Sequence, residues 1–78
     1  MSKELPALRA RELVRILEKA GFVSWRQRGS HLTMHRAADH RALTVPVHFR
    51  KTIPKGTLHA IIKQAGFTTE QFAQLMED

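Results

Sequence analysis

The chain has 78 residues, no cysteine, 42% hydrophobic residues and a formal net charge of +6. This length allows one small domain over residues 1–78 with a modest core. The missing cysteines exclude a disulfide framework and a thiolate metal site, as expected of a cytoplasmic protein.

No apolar run approaches a membrane span and the N-terminus lacks a signal-peptide core, so a soluble protein with no membrane partner is expected. The charge is unevenly placed. Between Phe22 and Thr69 eight Arg and Lys stand against one acid, Asp39, whereas the flanks hold five bases against six acids. A positive field concentrated in the middle of the chain suits a polyanion such as RNA or DNA. A merely solvated basic surface, or a patch for an acidic protein, is the alternative.

Residues 1–8, with Pro6, predict an extended lead-in. From about Arg9 to Ala20 the residues Ala10, Leu13, Val14, Leu17 and Ala20 recur at helical spacing, and Gly21 follows as a stop. Arg9 and Ala10 occupy the place where Ser, Thr or Asp would cap, so the first turn is expected to fray. Phe22–Arg28 is a strand candidate rich in aromatic and branched residues. Gly29-Ser30 then predicts a hairpin turn into a second strand, His31–Arg36. After Ala37-Ala38-Asp39-His40 comes a third strand around Arg41–Val45, with Leu43 and Val45 inward, Ala42 and Thr44 outward, and Pro46 ending it.

Val47 to Ile53 reads as a basic loop with His48, Arg50 and Lys51. A helix is predicted from Pro54 or Lys55 to Ala65, carrying Leu58, Ile61, Ile62 and Ala65 on one face and ending at Gly66. A last helix begins after Thr68, which forms a capping box with Gln71 and packs through Phe72, Leu75 and Met76. The pattern is α+β, in the order α-β-β-β-α-α. Two helical stripes can cover only one face of a three-stranded antiparallel sheet, so the other face meets solvent. No internal repeat or linker is evident.

On the second strand Leu32 and Met34 alternate with His31, Thr33 and His35. With Leu32 and Met34 inward, the histidines are expected on the open face among Arg26, Arg28 and Arg36. Imidazole exchanges protons near neutral pH, and guanidinium groups hold phosphodiesters and stabilise charge developing on their oxygens. RNA offers one cleavage chemistry that needs no metal, in which a base activates the 2′-hydroxyl to attack the adjacent phosphorus.

His35, expected about 6–7 Å from His31, is a candidate second proton-transfer group or an ordinary surface histidine. His48 is a phosphate contact or a turn residue, and Lys55 belongs to a positioning surface with Arg50, Lys51 and Lys63. Asp39 is the lone carboxylate of the basic region, too few to hold the ions of a two-metal nuclease, so no metal or other cofactor is expected. Trp25 could stack on a base, but by alternation it shares a face with Val23 and Gln27, which favours the core.

Four stretches, Leu17–Phe22, Gly29-Ser30-His31, Val45-Pro46-Val47-His48 and Lys55-Gly56-Thr57-Leu58 continuing to Gly66, resemble in order and spacing the HicA toxin family. The resemblance covers nearly the whole chain. It implies an mRNA interferase of a type II toxin–antitoxin pair, a fold like a double-stranded-RNA-binding domain, and a HicB-type antitoxin partner covering the active face. The family's catalytic histidine falls on His31. Leu32 stands where some relatives carry a second histidine, which leaves His35 or His48 as the further group.

The expected site is therefore His31 as catalytic residue, with Arg26, Arg28, Ser30, Arg36, His35, His48 and Lys55 on RNA. The competing readings are a non-catalytic RNA-binding module and an interaction protein whose basic face docks an acidic partner.

Overall fold

Six elements follow the expected order: α1 (Ala10–Lys19), β1 (Val23–Arg28), β2 (His31–Arg36), β3 (Arg41–Pro46), α2 (Lys55–Gln64) and α3 (Thr69–Glu77). The structure, a computed structural model, describes residues 5–48 and 51–77. Residues 1–4 of the expected lead-in and Arg50 of the expected basic loop lie outside the described residues. The strands form one antiparallel sheet in the order β1-β2-β3, as the hairpin and meander signals predicted.

The register fixes which residues share a face. Leu32 pairs with Val45 and Met34 with Leu43 on the helix side, where Met34, Leu43 and Val45 are buried. From the helices, Leu13, Leu17, Leu58, Ile61 and Ile62 close the same core, and Phe72 adds α3 to it. On α1 the buried stripe is Ala10, Leu13, Ile16 and Leu17, while Val14 and Ala20, expected inside, are half-buried. On the other face His31, Ala42 and Thr44 are exposed.

Local signals explain the helix boundaries. Arg9 cannot accept a hydrogen bond, yet the first turn of α1 is held. The Glu12 Oε1 accepts the Arg9 N–H at 2.9 Å, supplying the carboxylate half of a capping box. The lead-in is also tied down, because Leu8 O accepts the Ile53 N–H at 2.7 Å. At α3 the box is complete: Thr68 Oγ1 accepts from Gln71 N at 3.1 Å and Gln71 Oε1 accepts from Thr68 N at 2.8 Å.

The ends of α1 and α2 are built alike. Each runs Ala-Gly-Phe, as Ala20-Gly21-Phe22 and Ala65-Gly66-Phe67. Gly21 and Gly66 take φ of 95° and 87°, the left-handed conformation that costs a residue with a Cβ. Phe22 N donates to Leu17 O and Phe67 N to Ile62 O, closing a Schellman motif at each end.

Both ends converge on Arg36. Its Nη1 donates to Ala20 O at 3.1 Å and its Nη2 to Ala65 O at 3.0 Å. The guanidinium carbon stands 4.5 Å from the Phe22 ring centre and 5.5 Å from that of Phe67. Arg41 adds a bond from Nη1 to Gln64 O at 3.1 Å. One hairpin tip thus supplies cations to the carbonyl ends of two helices, where the helix dipole favours them.

Candidate nucleic-acid interface

Backbone pairing arranges the open face in three rows. Arg28, His31 and Pro46 form the row at the β1–β2 turn; Arg26, Thr33 and Thr44 form the next; Val23, His35 and Ala42 form the third. Directly opposed side chains on an antiparallel sheet have Cβ atoms about 5 Å apart, so Arg28 is the immediate neighbour of His31. Leu32 and Met34 anchor the inner side of β2, which fixes the direction of His31 through the pleat.

His35 is farther from His31 than expected. Thr33 lies between them and four residues of strand separate them, about 13 Å. That spacing is too long for two groups exchanging protons with one phosphodiester. His48, in contrast, is brought to the His31 end of the sheet. Pro46 pairs with His31, and Val47 N donates to Ser30 O at 2.6 Å. The exposed His48 stands round that end from His31, beside Lys51, Pro54 and Thr57 in a hollow of about 160 Å³. Lys55 opens α2 next to Pro54.

Arg36 is not on this face. It has the same strand parity as Leu32 and Met34, and its guanidinium is engaged by Ala20 O, Ala65 O and Asp39. Asp39 bonds Arg36 Nη2 at 2.7 Å and Arg41 Nε at 3.1 Å. The hydrogen bond from Arg36, reinforced by its charge and by Arg41, lowers the Asp39 carboxyl to about 2. The single acid of the basic region is thus used at the far hairpin tip, away from the Arg28–His31 row.

Trp25 corrects another expectation. It is 68% exposed, not in the core. The ladder pairs Ser24 with Met34 and Arg26 with Thr33, leaving Trp25 as an extra residue at a β-bulge. The bulge resets the alternation, so Val23, Arg26 and Arg28 reach the open face while Ser24 and Gln27 take the helix side.

Behind the sheet a groove of about 680 Å³ runs between α1 and the β1–β2 hairpin, with Val14 and Leu32 in it and Arg11, Arg15 and His48 along it. Among the described residues no group of three His, Asp or Glu side chains could hold a metal ion.

The sequence profile described as HicA toxin of bacterial toxin-antitoxin matches residues 10–67, from the start of α1 through the end of α2. This chain belongs to the HicA toxin family. The matched segment contains all three strands and the whole Arg28–His31 row. Membership in this HicA family makes the chain a toxin of a toxin–antitoxin system, with an antitoxin as its partner. A comparison with curated proteins found no match. No helix among the described residues is long and apolar enough to cross a membrane.

Proposed function

We propose that this HicA-family chain is a metal-independent endoribonuclease that cuts mRNA, with His31 as the proton-transfer group. The observation that carries the reading is the Arg28–His31 pair, an exposed imidazole directly opposite a guanidinium on an open sheet face. In this reading Arg28 and Arg26 hold the phosphodiester, with Ser30, His48 and Lys55 along the adjoining end of the sheet. His31 takes the proton of the 2′-hydroxyl, the 2′ oxygen bonds to phosphorus, and the bond to the 5′ oxygen breaks. The leaving 5′ oxygen takes a proton from solvent water, and the imidazolium of His31 returns its proton to solvent. The products are a 2′,3′-cyclic phosphate and a 5′-hydroxyl.

A HicB-type antitoxin would silence the toxin by laying an acidic or apolar segment over the His31 face and excluding RNA. The charge of the face supports this, since no carboxylate belongs to its three rows.

The test is cleavage of end-labelled RNA in EDTA by wild type and His31→Ala, with circular dichroism on both. Wild type should release 2′,3′-cyclic phosphate ends. The variant should be slower by about 10²-fold or more, the usual contribution of a general acid or base, with an unchanged melting temperature. Equal cleavage by both would remove His31 from the mechanism. Salt-sensitive binding by both without any scission would leave a non-catalytic RNA-binding module.

A further inference from the structure

We propose that Trp25 is a stacking platform for an unpaired nucleobase of the RNA, beside the phosphate held at the Arg28–His31 row. This rests on the RNA reading above and adds to it a substrate feature: at the β1 edge the strand must be single, with at least one base turned out of any helix.

Three observations converge on Trp25. First, the residue is 68% exposed, whereas Phe22 and Phe72 are fully buried and Phe67 is half-buried against the core. An indole left in water contributes nothing to the core, so its exposure needs another account. Second, the ladder is interrupted at this residue, with the bulge falling between Ser24 and Arg26. Bulges re-aim a side chain and concentrate beside functional sites.

Third, the Arg26 guanidinium carbon stands over the indole, 5.5 Å from the ring centre. Neighbouring residues of a regular strand point to opposite faces. This contact therefore places the indole with Arg26 at the margin of the open face. Most of the Trp25 side chain meets solvent. An aromatic plane and a cation side by side suit a nucleotide, whose base stacks while its phosphate pairs with the cation. Trp25 lies three residues along β1 from Arg28, roughly 10 Å, a distance suited to a nucleotide flanking the reacting phosphate.

The alternative occupant of an exposed indole is a protein partner. The charge around it favours nucleic acid: Arg26 and Arg28 follow it on β1, and the neighbouring strand, β2, carries no acid.

Trp25 is the single tryptophan of a chain without tyrosine, so its emission reports this site directly. The probe is a 2′-O-methyl oligoribonucleotide of about 8 nucleotides, within the usual span of single-strand sites. It keeps the bases and phosphates but lacks the attacking hydroxyl, so it binds without being cut. Heparin serves as a polyanion without bases.

The oligomer should quench Trp25 emission and heparin should not. Trp25→Ala should weaken oligomer binding, read by anisotropy of an end label, by about 5- to 150-fold, the usual worth of one stacked base. Heparin binding, the salt slope and the melting temperature should be unchanged, and Trp25→Phe should keep most of the affinity.

Oligomer binding with unaltered emission and undiminished Trp25→Ala affinity would overturn the proposal, leave the nuclease reading standing, and assign the indole to a protein contact. Equal losses for oligomer and heparin would also overturn it. Failure of the wild-type chain to bind the oligomer at low salt would overturn both readings together.

Discussion

Replacing Arg36 separates architecture from RNA contact, because the sequence points this residue to phosphate and the structure gives it to two helix ends. Arg36→Ala removes part-buried bonds to Ala20 O at 3.1 Å and Ala65 O at 3.0 Å. Hydrogen bonds from a charged donor contribute about 1.5 kcal/mol or more each. The place between the Phe22 and Phe67 rings adds about 0.5 kcal/mol. The ion pair with Asp39 adds little, because that carboxylate is 41% exposed. The expected loss is about 3.5 kcal/mol, a large share of a small domain's stability.

At about 4–8 °C per kcal/mol, the melting temperature should fall by about 14–28 °C. Arg36→Lys should recover only part, since one ammonium cannot reach both carbonyls and fill the space between two rings. Thermal melts by circular dichroism give the stability. RNA affinity against salt, measured well below the variant's melting point, gives the phosphate count. The slope should match wild type. A melting temperature within about 4 °C of wild type, with a slope reduced by about 0.7 as for one lost phosphate contact, would refute the assignment.

Asp39 makes the same hairpin tip sensitive to acid. Its carboxyl is lowered from 3.8 to about 2, so its contribution is full above the ordinary value and is lost as pH falls through the folded one. Melting curves of wild type and Asp39→Asn should differ at pH 5 and converge as the pH approaches 2. A gap that persists there would exclude the carboxylate as its source. The glycines should respond in opposite directions. Gly66→Ala puts a Cβ at φ 87° and 2.9 Å from Arg41 Cζ and should cost about 1–3 kcal/mol. Gly56→Ala, near the start of α2 with nothing within 4 Å, should add about 0.5 kcal/mol. Equal shifts in denaturant midpoint would show that neither backbone conformation nor the arginine decides the outcome.

Elements with local signals were legible in the sequence. Leu13 and Leu17 at helical spacing, the Gly29-Ser30 turn and the Thr68–Gln71 box each act within a few residues, and each appears where expected. The alternation of Leu32 and Met34 against His31 was equally readable, and the candidate site depends on it. The same parity sets Arg36 on the inner side, although its charge suggested the open face. Its partners are 16 and 29 residues away, and the repeated Ala-Gly-Phe was the available hint. The bulge at Trp25 left no comparable trace, because one unpaired residue shifts the alternation without changing composition. The distance from His31 to His35 required only counting along the strand.

β1 bears a double burden. As an outer strand with all six residues exposed, it presents backbone groups on which a second copy could add a strand. Its bulge and the charges of Arg26 and Arg28 are the devices by which proteins discourage such self-association. The arginines assigned to phosphate therefore also keep this chain apart from its copies. Charge-removing variants made to weaken RNA binding trade one defect for another. A loss of activity in Arg26→Ala or Arg28→Ala acquires meaning only alongside the particle mass in solution.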